Sequence, residues 1–334
     1  MTEEHPFAQY VRILGRGRTN SRALTEDEAY EAQRMILAGE VEPLQLGAFL
    51  MLLRVKEETP EEVAGFVRAI RDTLDLPNPL PPVDLDWSSY AGKRRQLPWF
   101  ILSALLLSQN GVRILMQGTE GHTPGRVYTR EALERLGVPS AGSLAEAGEH
   151  LAARNFAYVP LEKLCPKVHE IIQYRSLLGL RSPAHTVGRM INPLQAPYVL
   201  QGIFHVGYMD THQKAALLLG DPHLAVFRGE GGEIERNPSK PVKIQTVHDG
   251  VLGEETWPAL LDNPRHPTDE EMNLDRLEAI WRGTEGDDYA TAAITGTVAL
   301  ALKFMGRAET QEQALAAARA MWDTRQVELF GAAQ

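Results

Sequence analysis

One segment of the sequence combines basic and aromatic residues in the way that contact with a nucleic-acid strand requires. The only run of three basic residues in the chain is Lys93, Arg94 and Arg95. Aromatic residues flank this run on both sides; they are Trp87, Tyr90 and Trp99. Lysine and arginine neutralise phosphates, whereas aromatic rings stack on bases. The segment is therefore a candidate nucleic-acid contact, with a solvated surface loop as the alternative.

A glycine-rich segment, GEGGE (229–233), follows a run that is typical of a β-strand. Exposed backbone N–H groups in such a loop can hold phosphate. However, the segment matches neither the G-x-G-x-x-G fingerprint nor a P-loop. Its two glutamates would also repel phosphate unless a metal ion bridged them. A turn between two strands is therefore the preferred interpretation.

Further candidate ligands are arginines and histidines. Three arginines lie within YRSLLGLRSPAHTVGRM; they are Arg175, Arg181 and Arg189. A guanidinium group binds carboxylate or phosphate in a bidentate manner, although surface salt bridges account for the same spacing. His205, Asp210 and His212 could act as metal ligands, but no H-E-x-x-H pair is present. The ten histidines are scattered and are predicted to be structural or solvent-exposed.

Composition limits the classes of protein that fit. The 334 residues carry a formal net charge of −10, with 43% hydrophobic and 23% charged residues. These values are ordinary for a globular protein of about two domains. The one cysteine, Cys165, excludes a disulfide framework. The acidic balance argues against coating of a polyanion by the whole surface, but it leaves room for one local basic patch.

Neither a targeting signal nor a membrane span is evident in the sequence. The first ten residues, MTEEHPFAQY, lack a basic region followed by an apolar one. No apolar stretch approaches the roughly 20 residues that cross a bilayer. We therefore expect a cytoplasmic protein with no membrane partner.

The elements that must position these residues fall into two regions. Residues 1–75 read only as helices, with capping boxes that begin at Thr25 and Thr59. The proline-rich segment 76–82 predicts a stiff linker. Beyond it, strand-like runs alternate with helical ones, which predicts an α/β fold with a mostly parallel central sheet. The predicted strands are 112–116, 156–159, 198–204, 224–229 and 242–247.

Several segments resemble the anthranilate phosphoribosyltransferase family, which also includes the pyrimidine nucleoside phosphorylases. They are MILAGEVEPLQLGAFLMLLRVKEETPEEVAGFVRAIR (35–71), REALERLGV (130–138), FAYVPLEKLCPKVHEIIQYRSLLGLRS (156–182) and INPL (191–194). The resemblance implies a helical, dimer-forming domain of residues 1–75 with part of about 160–190. It also implies a large α/β domain of residues 83–334, a cleft between the two domains, and a homodimer through the helical one.

The stretches that match the catalytic signatures of this family depart from them. The GTGGD loop, which wraps pyrophosphate in active members, matches residues 87–95, where that glycine-rich pattern is absent. The KHGN motif matches residues 116–119, and Gly118 alone agrees with it. The acidic pair that helps to hold magnesium matches residues 232–235, where Glu235 is the remaining carboxylate of the pair.

Two arginines of the family pattern are kept. Arg175 matches the arginine that contacts the anthranilate carboxylate, and Arg181 matches the arginine of the turn that follows it. This combination of losses and retentions resembles the divergent TrpD-like branch, the YbiB-type proteins. The resemblance to that branch implies nucleic-acid binding rather than tryptophan synthesis.

The leading hypothesis is thus a homodimer that binds nucleic acid through a basic cleft. The predicted contacts with phosphate are Lys93, Arg94, Arg95, Gly118, Thr119 and Arg189. The predicted stacking residues are Trp87, Tyr90 and Trp99, and the predicted ligands for a carboxylate or phosphate are Arg175 and Arg181. No residue is assigned a catalytic role.

The alternative is a glycosyl or phosphoribosyl transferase that uses phosphoribosyl pyrophosphate with a different acceptor. In that case Mg²⁺ would lie near Glu235, with Glu230 or Glu233 as replacement ligands, and Arg175 would orient an acidic acceptor. Anthranilate transfer itself is not expected because the GTGGD loop is missing. A third hypothesis is a non-catalytic protein that kept the dimer and binds a protein partner.

Overall fold

An N-terminal bundle of short helices precedes the rest of the chain. The computed structural model describes residues 4–17, 19–263, 268–269 and 271–328. The bundle consists of α1 (Ala8–Gly15), α2 (Glu26–Leu37), α3 (Pro43–Lys56) and α4 (Pro60–Arg71). The hydroxyl groups of Thr25 and Thr59 cap α2 and α4 in complete capping boxes, as predicted. Apolar side chains at helical spacing on α4, including Val63, Phe66 and Ile70, fill the bundle core.

Seven strands form one sheet in the second region. They are β1 (Leu85–Ser89), β2 (Ile114–Gly118), β3 (Phe156–Pro160), β4 (Tyr198–Ile203), β5 (His223–Arg228), β6 (Val242–His248) and β7 (Val251–Trp257). Their order across the sheet is β3-β2-β1-β4-β5-β6-β7. Neighbours from β3 to β5 are parallel, whereas β6 and β7 join antiparallel at one edge. The predicted α/β fold with a mostly parallel sheet is confirmed.

The strands β1 and β7 are absent from the sequence prediction. All five residues of β1 are buried, so this central strand does not alternate between buried and exposed positions. Three of the five, Asp86, Ser88 and Ser89, are polar, so the strand lacks an apolar run. Strands that are covered on both faces commonly lack alternation. The other strand, β7, is an edge strand with mostly exposed or half-buried residues, including Glu254 and Glu255. Neither strand therefore carries the usual hydrophobic pattern.

Helices cover both faces of the sheet. They are α5 (Trp99–Gln109), α6 (Thr129–Arg135), α7 (Leu144–Arg154), α8 (Leu161–Leu164), α9 (Pro166–Gln173), α10 (Arg175–Leu178), α11 (Ala184–Gly188), α12 (Met209–Leu219), α13 (Asp275–Arg282), α14 (Asp288–Phe304) and α15 (Gln311–Asp323). One apolar core joins the sheet to the N-terminal bundle, α9, α11 and α12. The second core lies on the opposite face, among α5, α13, α14 and α15. In the described part of the chain, no helix is both long and apolar enough to cross a membrane.

The topology creates a crevice at the carboxyl ends of the parallel strands. From β1 the sheet extends to β2 and β3 on one side and to β4 and β5 on the other. A change of direction of this kind is a switch point, where the loops on either side diverge and leave room for a ligand. The loops that follow β1, β2, β4 and β5 are therefore the elements that must form any binding site here.

Asp86 lies in the middle of β1 and is completely buried. Burial raises the pKa of its carboxyl group to about 8, and Arg71 only partly opposes the shift. An aspartate in an unfolded chain has a pKa of about 4. The folded state therefore binds this proton more tightly, so the contribution of Asp86 to stability falls as the pH rises from about 4 to about 8.

We predict that Asp86→Asn stabilises the protein at high pH, because asparagine removes the cost of a buried negative charge. The melting temperature of the variant should exceed that of the wild type by several degrees at pH 8.5, and the difference should shrink towards pH 5. Thermal unfolding followed by circular dichroism at both pH values measures this. Asp75→Asn, at an exposed position, is the matched control, and equal differences at both pH values would contradict the prediction.

Candidate functional site

The loop that follows β1, residues 90–96 (the β1 loop), is fixed against the segment that precedes α6. Lys93 and Val127 exchange two backbone hydrogen bonds of 2.8 Å each. Gly92 adopts a φ of +68°, and a Cβ atom there would lie 2.9 Å from the ring of Tyr128. Glycine is therefore required at this turn, since other residues rarely adopt a positive φ and no space exists for a side chain. The β1 loop is consequently held in one position at the switch point.

A carboxylate of the protein itself accepts hydrogen bonds from the backbone N–H groups of the β1 loop. One oxygen of Glu233 accepts hydrogen bonds from the N–H groups of Ala91 and Gly92, at 2.7 and 2.6 Å. Its other oxygen accepts a 2.9 Å hydrogen bond from the Ser89 hydroxyl. Successive N–H groups of this kind form a cradle for an anion. Burial raises the pKa of Glu233, while these hydrogen bonds and the charge of Arg189 oppose the rise.

Two glycines allow Glu233 to reach the cradle. The segment after β5, residues 229–236 (the β5 loop), crosses the end of β4 at Gly202. A Cβ atom at Gly202 would lie 2.3 Å from the carbonyl group of Glu233, and one at Gly229 would lie 1.6 Å from its oxygen. Any side chain at either position would displace the β5 loop. Gly229, the first glycine of GEGGE, thus serves close packing of main chains, beyond the turn that the sequence predicts.

Lys93 and Glu235 form a buried ion pair beside the cradle. The ammonium nitrogen lies 2.5 Å from one carboxylate oxygen, and both side chains are at most 2% exposed. The other oxygen accepts a 2.9 Å hydrogen bond from the Phe100 N–H in the first turn of α5, where the helix dipole favours negative charge. Burial raises the pKa of Glu235 to about 7, against the opposing charge of Lys93. The prediction that Lys93 contacts a ligand phosphate is therefore wrong for this conformation.

The proposed magnesium ligand also has other partners. Glu235 receives an ammonium group and an N–H group, and Glu233 receives three donors, so neither carboxylate presents free oxygens to a cation. Glu230 accepts a hydrogen bond from the Asn237 amide. No group of three or more metal-binding side chains exists among the described residues. In this arrangement the three glutamates do not fit Mg²⁺, which corrects the expectation for Glu235.

The three aromatic residues of the basic segment are buried, so the predicted stacking role is wrong. Trp87, Tyr90 and Trp99 are at most 1% exposed. Trp87 lies inside the central strand, and Trp99 begins the buried helix α5. The Tyr90 hydroxyl donates to the side chain of Gln117. Their spacing reflects the end of a core strand followed by a core helix, whereas Arg94 and Arg95 are exposed as expected for contact residues.

The residues after β2 are also structural. Gly118 lies against the end of β1, where a Cβ atom would be 2.0 Å from the Ser89 carbonyl oxygen. Thr119 is 2% exposed, and its hydroxyl is 2.9 Å from Nδ1 of His169. These positions are closed to a ligand. The prediction that Gly118 and Thr119 contact phosphate is therefore corrected.

Four arginines lie close together, and three of them act on a pair of buried histidines, His122 and His185. We call the four arginines the arginine cluster; they are Arg126, Arg175, Arg181 and Arg189. The rings of His122 and His185 lie 4.8 Å apart. Burial, together with the charges of Arg181, Arg189 and Arg175, lowers the pKa of His122 to about 3, and burial also holds the pKa of His185 well below its usual value. Both histidines are therefore neutral at physiological pH, and the positive charge of this region comes from arginine.

No arginine of the cluster forms an ion pair within the described ranges of the chain. Arg126 donates to the carbonyl groups of Ala91 and Gly92 at 2.9 Å, and Arg175 donates to the Thr123 hydroxyl. Arg189 is buried and donates to the carbonyl oxygens of His185 and Gly202, at 2.6 and 3.3 Å. All of these acceptors are neutral. The charges of the cluster are thus held in place without direct neutralisation.

Arg181 is the member of the cluster without a hydrogen-bond acceptor among the residues that the structure describes. Its side chain is partly buried. Burial, together with the charges of Arg189, Arg126 and Arg175, lowers the pKa of Arg181 to about 10. A guanidinium group in this environment is stabilised by an anion, because the anion offsets both the desolvation and the repulsion.

Two members of the cluster, Arg181 and Arg189, line a cleft between the sheet and the N-terminal bundle. Its lining includes Arg181, Arg189, Phe204 and His205, with Glu58 as the acidic member. One oxygen of Glu58 accepts a 2.6 Å hydrogen bond from Thr186, and burial raises the pKa of this carboxyl group. Polar atoms without partners also line the cleft; they are Oε2 of Glu58, Oγ of Ser182 and Nε2 of His185. These atoms mark the cleft as a place for a polar ligand.

The histidines that the sequence offers as metal ligands have other roles. His212 is buried, and its Nδ1 lies 2.6 Å from the Gln201 side-chain oxygen. Asp210 accepts a 2.7 Å hydrogen bond from Gln245, and His205 is exposed at the cleft. Arg126 is absent from the sequence prediction. Its position soon after a predicted strand is the only signal that could have indicated it.

Comparison with known proteins finds similarity to glycosyl transferases. Residues 8–74 match the helical bundle domain of the glycosyl transferase family. An uncharacterized protein of Aquifex aeolicus is 29% identical over 316 residues, 93% of this chain and 96% of that protein. The Escherichia coli protein YbiB, also uncharacterized, is 28% identical over 72% of this chain and 76% of its own length. The anthranilate phosphoribosyltransferase of Geobacillus kaustophilus is 26% identical over 89% of each chain.

Solved structures share the complete fold. The anthranilate phosphoribosyltransferase of Thermus thermophilus superimposes with a TM-score of 0.78 at 21% identity, over 98% of this chain and 97% of that chain. The Saccharomyces cerevisiae enzyme, solved in complex with phosphoribosyl pyrophosphate and magnesium, has a TM-score of 0.79 at 14% identity, over 96% and 94% of the two chains. The chain therefore has the fold of the anthranilate phosphoribosyltransferases over nearly its whole length, and its sequence is similar to theirs and to that of YbiB.

Proposed function

We propose that this protein binds nucleic acid, with phosphate groups of the backbone held at the arginine cluster. The observation that carries the proposal is Arg181, a partly buried cation surrounded by three further arginines and without an acceptor among the described residues. Phosphate suits the site because a guanidinium group forms paired hydrogen bonds with two of its oxygens.

The internal ion pairs support this choice of position. Lys93 is neutralised by Glu235, and the amide cradle of the β1 loop is filled by Glu233. The hydrogen-bonded arginines of the cluster instead donate to carbonyl and hydroxyl groups, which leave its charge unbalanced apart from the attraction between Arg189 and Glu233. An unbalanced cluster of like charges costs folding free energy, and a bound polyanion offsets that cost. Arg94 and Arg95 are proposed as further phosphate contacts because both are exposed.

The acidic remainder of the surface is compatible with such a site. A chain with a net charge of −10 repels a polyanion that approaches most parts of its surface. A concentrated group of arginines in a cleft attracts phosphate locally, because the surrounding protein screens charge less than water does. Binding should therefore be restricted to the cleft and should weaken steeply with salt.

We predict that Arg181→Ala weakens binding of a fluorescein-labelled single-stranded 20-mer by about tenfold at 50 mM salt, because one phosphate contact is lost. The slope of log K against log salt should also become shallower by about 0.7, the value for one counterion on a single strand. Fluorescence anisotropy over a salt series measures both quantities.

Arg319→Ala is the control for this experiment, since Arg319 is exposed on α15 and its replacement changes the net charge equally. We expect it to retain the affinity and the salt dependence of the wild type. The proposal fails if the two variants lose the same affinity, or if the wild-type protein binds no oligonucleotide at low salt.

A second candidate function is a phosphoribosyl or glycosyl transferase that uses phosphoribosyl pyrophosphate and Mg²⁺. The observation that favours it is the anion cradle itself, because the N–H groups of Ala91, Gly92 and Phe100 could hold phosphates as well as carboxylates. For this function Glu233 and Glu235 would have to leave their present partners, after which they could serve as magnesium ligands. Arg175 would then orient an acidic acceptor.

Calorimetry separates the two candidates. We predict that the wild-type protein binds phosphoribosyl pyrophosphate with Mg²⁺ only weakly, with a dissociation constant above about 1 mM. The reason is that Glu233 fills the cradle. Glu233→Ala should gain measurable binding of inorganic pyrophosphate. Glu233→Gln keeps a hydrogen-bond acceptor without the charge and should behave as the wild type, and Glu309→Ala at an exposed position controls for net charge. Micromolar binding by the wild type would instead favour the transferase.

We also propose that two copies associate through the N-terminal helices. Leu44 and Val55 on α3 are 86% and 82% exposed, and their separation of eleven residues places them on one face of the helix. Exposed apolar side chains on one helix face are typical of an interface.

The double substitution Leu44→Glu and Val55→Glu should convert a dimer to a monomer, because charges are costly in an apolar interface. Light scattering after size-exclusion chromatography measures the mass directly. Leu218→Glu, an exposed apolar position on α12, should leave the dimer intact. A wild-type mass equal to that of one chain would refute the association.

A further inference from the structure

Of the phenylalanine and tyrosine residues that line the cleft, Phe204 is exposed and Tyr208 is half-buried. Phe204 follows β4 directly and is 48% exposed. Within the described ranges it is the one phenylalanine, tyrosine or tryptophan in the exposed class. It lines the same cleft as Arg181 and Arg189. An accessible ring and phosphate-binding cations therefore share one surface.

Neighbouring residues hold this ring in place. A Cβ atom at Gly232 would lie 3.3 Å from the Phe204 Cβ, so the β5 loop packs tightly beside it. The guanidinium carbon of Arg228 lies 5.8 Å from the ring centroid, within the range of cation–π attraction. The ring of His205 contacts it edge-on, with centroids 5.0 Å apart at 83°. These contacts restrict the ring while leaving about half of its surface open.

We propose that Phe204 stacks on an unpaired base of a single-stranded nucleic acid whose phosphates lie at the arginine cluster. This inference rests on the nucleic-acid binding proposed above and adds the strandedness of the ligand. Proteins that bind single strands combine a basic groove with aromatic side chains on which bases stack. In a duplex the faces of the bases are already stacked on one another, so no base face is free to stack on the Phe204 ring.

The charges of the cleft are arranged for such a ligand. Arg181 and Arg189 supply the positive groups for phosphate, and Arg228 adds a further cation at the ring. Glu58 is the acidic residue in the lining, and one oxygen of its carboxyl group accepts a hydrogen bond from Thr186. A strand that crosses the cleft can thus place phosphates on the arginines and one base on the ring.

The test compares three labelled ligands of equal length: a thymidine 12-mer, the same strand with abasic residues throughout, and a duplex. The wild-type protein should bind the thymidine strand more tightly than the other two. Phe204→Ala should weaken binding of the thymidine strand at least about fivefold, with an unchanged salt slope, because no phosphate contact is lost. It should not change binding of the abasic strand.

Two further variants make the outcome unambiguous. Phe204→Trp should restore tight binding, since indole stacks at least as well, whereas Leu218→Ala, at an exposed apolar position away from the cleft lining, should bind as the wild type. Circular dichroism confirms that each variant is folded. If Phe204→Ala binds the thymidine strand as the wild type does, or weakens both strands equally, the stacking inference is overturned.

The result also distinguishes this inference from the proposed function. If Arg181→Ala weakens binding while Phe204→Ala does not, nucleic-acid binding stands and base stacking fails. If the duplex binds as tightly as the thymidine strand, the preference for single strands fails. Absence of binding to all three ligands by the wild type overturns both.

Discussion

The buried carboxylate of Glu233 joins the loops that form the cleft. Its hydrogen bonds to Ala91, Gly92 and Ser89 connect the β5 loop to the end of the central strand. A buried carboxylate without these donors would be strongly destabilised, so the two loops can adopt this arrangement only together. The position of Glu233 in turn requires main chains to approach closely at Gly202. The shape of the cleft therefore depends on a single internal anion.

The same interaction divides the charges of the site into two groups. Glu233 and Glu235 satisfy the amide cradle, the first turn of α5 and Lys93, so that half of the site is electrically balanced from within. The arginine cluster borders this half through Arg126 and Arg189, and its hydrogen-bond acceptors are neutral. The positive charge of the site thus lies in the arginine cluster, of which Arg181 and Arg189 line the cleft. This asymmetry supports the proposal that the ligand is a polyanion rather than a small pyrophosphate ester.

Much of the fold could be predicted because its signals are local. Capping residues such as Thr25 and Thr59 act within one helical turn, and five of the strands are recognisable as short apolar runs. The strand β1 could not be recognised, since Asp86, Ser88 and Ser89 are buried in it. Their burial results from coverage on both faces of the sheet, and no neighbour in the sequence indicates that coverage. The central strand, which carries the β1 loop, was thus the hardest to predict.

The sequence by itself determined the two-region fold, the family resemblance and the presence of a basic segment at one loop. Only the tertiary structure decided which charges are free. Lys93 is consecutive with Arg94, yet it is neutralised by Glu235, 142 residues away in the chain, while Arg94 is exposed. Likewise, Arg126 joins Arg175, Arg181 and Arg189 only because loops distant in sequence meet at the switch point. Burial and pairing set the availability of a charge, and both depend on contacts that no local pattern encodes.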